Sequence, residues 1–261
     1  MSRGQPTGMV KFFLFMVFLI GIGLNTFVIL DAEHFRWIIR PPNDISTVDL
    51  SKFVPEAKKS ILLVVAIGCD NKACGTGTGF VIQPGYVATN AHVAACGAQC
   101  KKFALQDYKG MKHVATLEGI TSRRGTAEDL AILKINDTSL PPLQLADSAE
   151  YEVDHDGDAI FTIGYPLLGI ASSADKASVS DEGRIAQFST DHDMFIANGM
   201  QPNPGNSGGP VFLANEKKVV GLIVSGVRGE VQGVEVAGVE YVIPINRMKN
   251  FFQQITGQDL P

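Results

Sequence analysis

From Ser60 onward the chain is a succession of short apolar runs separated by Gly, Pro, Asn and Asp, and no other feature narrows its fold so far. The runs are Ile61–Ile67, Gly79–Ile82, Tyr86–Thr89, Val114–Ile120, Leu130–Ile135, Ala159–Ile163, Ile185–Phe188, Met194–Ala197, Val211–Leu213, Val219–Val224 and Glu240–Pro244. Each is strand-sized and rich in Val and Ile, whose branched Cβ suits a pleated sheet better than a helix. The turn residues between them let the chain reverse every few positions. An all-β barrel or sandwich is therefore expected, not a series of βαβ units. Helix should be scarce. A turn is expected over Val93–Ala98, and a longer helix over 246–256, where Met248, Phe251, Phe252 and Ile255 fall at helical spacing and Gly257 suits a stop. Pro141-Pro142 and the stretch 147–158 form a midpoint, dividing the body into halves of about 60–145 and 150–245. No internal repeat of useful length is visible.

The 261 residues allow one large all-β domain or two small ones with an appendage. With 45% hydrophobic and 19% charged residues a substantial core forms, and a net charge of -5 excludes a general nucleic-acid binder. The N-terminus is separate in character. Residues 12–30, Phe12 to Leu30, carry no charge and follow a short tail, 1–11, containing Arg3 and Lys11. At about 1.5 Å per helical residue this stretch crosses a lipid bilayer. The sequence Val28-Ile29-Leu30-Asp31-Ala32-Glu33 is a poor cleavage site, so an uncleaved transmembrane signal anchor is expected over a removed leader. Residues 31–55, with Pro41-Pro42, Asn43-Asp44 and Pro55, are expected to be a stalk, and 56–257 the folded domain. Cys69, Cys74, Cys96 and Cys100 are an even set behind an export segment, which favours disulfides in an oxidising compartment. Local pairing (Cys69 with Cys74, Cys96 with Cys100) and nested pairing (Cys74 with Cys96, Cys69 with Cys100) both remain open at this point. A four-thiolate zinc site is the rival, against which the spacings stand.

Three segments carry chemistry. Pro204-Gly205-Asn206-Ser207-Gly208-Gly209-Pro210 can hold a serine on a sharp turn, with glycines that admit a carbonyl to main-chain N–H groups. Thr89-Asn90-Ala91-His92-Val93 supplies a base, and Asp129-Leu130-Ala131-Ile132-Leu133-Lys134 a carboxylate to orient it. A serine hydroxyl is a weak nucleophile until a base takes its proton, and an imidazole ordinarily does so near neutral pH. Taken singly, each segment reads as a loop or a buried strand, and His34, His113, His155 and His192 read as surface or satisfied histidines. Taken together, the order His, Asp, Ser is that of one known arrangement of the triad and not of the other two. Asp154-His155-Asp156-Gly157-Asp158 superficially suggests calcium, but its Gly and the absence of a twelfth-position Glu make it a polar turn.

These segments, with Gly75-Thr76-Gly77-Thr78-Gly79-Phe80-Val81-Ile82, Ile163-Gly164-Tyr165-Pro166 and Tyr241-Val242-Ile243-Pro244, resemble the chymotrypsin-fold serine peptidases, most closely the high-temperature-requirement (HtrA, Do-like) branch. The resemblance covers about Ser60 to Ile255. It implies two six-stranded Greek-key β-barrels with a C-terminal helix, His92 and Asp129 from the first meeting Ser207 from the second. It implies Ser207 as nucleophile, His92 as general base and then acid, Asp129 as the group fixing the imidazole tautomer, and the N–H groups of Gly205 and Ser207 as the oxyanion hole. It implies polypeptide substrates, no cofactor, no metal, a bacterial periplasmic or extracellular location for the catalytic domain, and trimers. Gln201, six residues before Ser207, is not the acid that would select Arg or Lys. Leu222, Ile223 and Val224 are expected to wall the substrate pocket, favouring small or medium aliphatic side chains. The sequence departs from the branch in three ways. It ends at Pro261, without the PDZ domain that usually follows, Pro204 precedes Gly205, and the four cysteines lie near His92. A peptide-binding module without turnover is the alternative that Pro204 and the missing PDZ domain raise.

Overall fold

A computed structural model describes residues 49–121, 126–147, 156–166, 176–200, 203–231 and 234–261. The expected anchor (12–30) and most of the expected stalk lie outside them. Among the described residues no helix is long and apolar enough to cross a membrane.

Among the described residues twelve antiparallel strands form two closed barrels of six. The first contains β1 (Ile61–Ile67), β2 (Ala73–Gln83), β3 (Tyr86–Thr89), β4 (Lys102–Gln106), β5 (Lys112–Ile120) and β6 (Ala131–Ile135). The second contains β7 (Ala159–Gly164), β8 (Ser178–Ser189), β9 (Met194–Asn198), β10 (Pro210–Leu213), β11 (Val219–Val231) and β12 (Val234–Pro244). The first barrel runs β1-β2-β3-β6-β5-β4 and closes by pairing β4 with β1, so the fourth strand returns beside the first in Greek-key fashion. The second has the same cyclic order. The duplication is structural, with no counterpart visible in the sequence. Closure leaves no barrel edge unpaired.

Alternation along the strands builds three cores. Leu62, Val64, Val81, Val87, Leu105 and Leu133 fill the first barrel. Ile160, Phe195, Val211, Val220, Ile223 and Val242 fill the second. The opposite faces of the same strands, among them Phe80, Ile82, Ile132, Phe161, Ile163, Phe212, Leu222 and Ile243, join in one interbarrel core. These strands are therefore buried on both faces, which is why their sequences are nearly continuous apolar runs instead of alternating ones. Strand β4 has no such run. Only Phe103 and Leu105 are buried in it, and sequence reasoning missed it.

Among the described residues three α-helices accompany the barrels. α1 (Phe53–Ala57) lies in what was expected to be the end of the stalk. There the structure corrects the expectation: Phe53 meets Phe212 edge-on at 5.3 Å and Phe161 at 6.0 Å, so hydrophobic burial draws this segment into the interbarrel core. α2 is Ala91–Ala98. α3 (Ile245–Thr256) leaves the second barrel and packs on the first, with Phe252 edge-on to Tyr86 at 5.1 Å. Its buried stripe is Ile245, Met248 and Phe252; Phe251 is half-buried, and Ile255, expected on that stripe, is 41% exposed beside Gly119. Gly257 ends the helix at φ 71°, its N–H on the Gln253 carbonyl at 2.8 Å, as expected of a C-terminal glycine.

Candidate active site

The segment following β3 and the residues entering β6 are brought together because those strands are paired, with Thr89 opposite Ala131. His92 is the second residue of α2, and Asp129 closes the turn that begins at Thr126. Asp129 is fully buried. Its Oδ1 accepts the His92 backbone N–H at 2.8 Å, and its Oδ2 lies 2.6 Å from His92 Nδ1. A carboxylate only accepts, so Nδ1 carries a hydrogen, and in the neutral imidazole that leaves Nε2 with its lone pair. The Asn90 side-chain amide donates to the Asp129 carbonyl at 3.0 Å.

Ser207 lies just before β10 and is 5% exposed. The Asn206 N–H donates to the Asn203 carbonyl at 3.0 Å, and Gly205 has φ 100°. Proline second and a positive-φ glycine third is the pattern of a type II turn. Pro204 thus favours the local conformation instead of obstructing it. Gly208, at φ 83°, donates to the Ile223 carbonyl at 2.9 Å, and Ile223 donates back to Gly209 at 3.0 Å. Among the described residues the N–H groups of Gly205 and Ser207 have no backbone acceptor. They are free to receive an oxyanion.

The two halves of the site meet across Gly77. A Cβ there would lie 2.6 Å from a Val93 methyl and 2.9 Å from the Ser207 carbonyl oxygen, so only glycine lets the neighbour of His92 and the serine loop both press against β2 at this point. The structure thus joins His92 directly to Asp129 and holds the Ser207 backbone on Thr78 of β2, the strand that Val93 also packs against. Among the described residues no hydrogen bond runs from the Ser207 hydroxyl to the imidazole. Such bonds are often long before substrate binds.

The cysteines pair as Cys69–Cys100 and Cys74–Cys96, with Cα separations of 5.5 and 6.0 Å. The nested connectivity is the one adopted, and with no free cysteine the zinc alternative falls. Cys96 lies one helical turn beyond His92, so the inner bridge ties α2 to β2.

The pocket expectation needs correction. Leu222 and Ile223 have no exposed surface. They face opposite ways, Leu222 into the interbarrel core and Ile223 into the second barrel, because neighbouring strand residues alternate. Val224, 9% exposed, is alone among the three in reaching the surface, and Gln201 lies outside the described residues. Sequence reasoning also assigned no role to Thr78 or Thr89. Thr89 Oγ1 donates to the Thr78 carbonyl at 2.7 Å, and Thr78 reaches the serine loop of the other barrel. A hydroxyl among glycines was the only signal.

A family model of the trypsin-like peptidase domain matches residues 77–222, more than half of the chain. A probable periplasmic serine endoprotease DegP-like protein of Chlamydia pneumoniae is 33% identical over 178 residues, 67% of this chain and 33% of that protein. Proteins of the same description from Rickettsia prowazekii and Pseudomonas savastanoi pv. phaseolicola are 31% identical over 188 residues (70% and 34%) and 40% identical over 148 residues (56% and 28%). The chain spans about a third of the length of these curated relatives. The crystal structure of the serine endoprotease from Yersinia pestis is similar with a TM-score of 0.62 at 22% identity, over 80% of this chain and 67% of that one, which supports the fold. On the matched segment and the paired barrels, the chain belongs to the family of trypsin-like peptidase domains and is similar to its DegP-like members.

Proposed function

We propose that the protein is a serine endopeptidase, held in the bacterial inner membrane by residues 12–30, that cleaves exported or misfolded polypeptides in the periplasm. The observation that carries this is the two-point contact of Asp129 with His92 beside a serine loop whose Gly205 and Ser207 N–H groups are unengaged. In this reading His92 Nε2 takes the Ser207 proton as Oγ attacks the substrate carbonyl carbon. The carbonyl electron pair moves to its oxygen, which the two N–H groups receive. Collapse breaks the C–N bond, and the imidazolium passes its proton to the leaving amine. Water, activated by the same imidazole, then hydrolyses the acyl-enzyme. Losing one oxyanion donor typically costs about 2.7–4 kcal/mol of transition-state stabilisation.

The periplasmic location is supported by the names of the relatives and the even cysteine set. The anchor is supported by the uncharged length of 12–30. Trimer assembly follows from the resemblance alone. A preference for small or medium aliphatic side chains keeps Val224 and Gln201 as its pocket residues. A fluorophosphonate probe should label the wild type and not Ser207→Ala. Equal labelling of both ends the proposal.

A further inference from the structure

We propose that Thr78, on β2 of the first barrel, is the positioning residue that sets the oxyanion-binding loop of the second. The inference rests on Ser207 being the nucleophile. All three polar groups of Thr78 are engaged at the site, in four hydrogen bonds. Its hydroxyl donates to the Gly205 carbonyl at 2.7 Å and accepts the Tyr165 N–H at 2.9 Å. Its N–H donates to the Ser207 carbonyl at 2.9 Å, and its carbonyl accepts from Thr89 Oγ1 at 2.7 Å. Thr78 is fully buried, so none of these bonds competes with bulk water.

The geometry gives the contacts a direction. Thr78 binds the carbonyls of peptides 205–206 and 207–208. Between them lies peptide 206–207, which bears the Ser207 N–H. Its carbonyl in turn accepts from Gly209 at 2.9 Å. A peptide is planar, so a carbonyl turned one way turns its N–H the other. With both flanking carbonyls drawn toward Thr78 and its own toward Gly209, peptide 206–207 has one orientation left, with the Ser207 N–H unengaged. The Gly205 carbonyl likewise anchors one end of the turn whose N–H is the second donor. The hydroxyl is specifically required, because its bond from Tyr165 orients its proton toward Gly205. A hydrogen there cannot be supplied by the methyl of the same side chain.

The test compares Thr78→Ser, which keeps the hydroxyl, and Thr78→Ala, which removes it, with Ser207→Ala as control. Peptide cleavage kinetics, thermal midpoint and affinity for a peptide boronate that mimics the tetrahedral state are read for each. Thr78→Ala should lose about 10–100-fold in kcat with KM within about threefold, and boronate affinity should fall by the same factor. Thr78→Ser should stay within about threefold of wild type in both. A tenfold or greater loss in Thr78→Ser at unchanged thermal midpoint overturns the proposal, and so does wild-type kcat in Thr78→Ala. Thr78→Ser decides alone should Thr78→Ala not fold. Residual cleavage in Ser207→Ala would instead overturn the nucleophile assignment.

Discussion

Asp129 holds His92 at two points, one carboxylate oxygen on the backbone N–H and the other on Nδ1, at 2.8 and 2.6 Å. The first contact places the start of α2; the second fixes the tautomer. Asp129→Asn can keep only part of this, since an amide nitrogen donates where Nδ1–H also donates. It should lower kcat by about ten-thousandfold while the fold persists. Steady-state kinetics with circular dichroism checks it, and a loss below about tenfold contradicts the assigned role.

The two disulfides should differ in what they do. Removing either is expected to cost about 2–4 kcal/mol. Cys74→Ala/Cys96→Ala frees α2, one turn beyond His92, and should also lower kcat. Cys69→Ala/Cys100→Ala frees only the outer loop and should leave kcat near wild type. Urea denaturation and kinetics on both double variants separate the effects.

Two glycines with nearly equal positive φ should tolerate alanine differently. Gly110 has φ 80°, and nothing lies within 4 Å of a Cβ there, so Gly110→Ala meets only the left-handed penalty of about 1–2 kcal/mol. Gly208 has φ 83°, and its Cβ would collide with Thr89 Oγ1 and the Thr78 carbonyl oxygen. Gly208→Ala should abolish activity and fold poorly. Equal thermal midpoints for the two variants would refute the packing argument.

Acid should weaken one turn in a traceable way. The Ser139 hydroxyl and N–H donate to Asp137 at 2.7 and 2.8 Å, and chiefly the hydroxyl holds that carboxyl below its usual range. A carboxyl lowered in the folded state stabilises above its unfolded pKa, about 3.9, and loses that contribution as pH falls through the folded value. Ser139→Ala should therefore lower the thermal midpoint slightly at pH 7, and its difference from wild type should shrink as pH falls below the unfolded carboxylate value of about 3.9. A difference independent of pH would rule out the carboxyl as its cause.

Much of the architecture was legible because it is written locally. Tyr86–Thr89 and Ile61–Ile67 are strands with the expected bounds, since turn residues frame each apolar run. Lys102–Gln106 was not legible, because two buried side chains in five residues give too little periodic signal. The polar extensions of β8 and β11 were missed for a related reason. A closed barrel pairs their backbones whatever their side chains. Leu222 and Ile223 were wrongly given one wall, although strand alternation alone separates them.

Residue identity and order along the chain determined the candidate chemistry: a serine among glycines, an imidazole and a carboxylate, each flanked by strand-forming residues. Periodicity and turns over a few positions encode that much. Which cysteines pair, where Phe53 is buried, and the reach of Thr78 to Gly205 across 127 positions were decided only in the folded molecule. Those contacts depend on how two barrels pack through a shared apolar core, and the free energy of that packing is spread over dozens of side chains and is visible in no single segment.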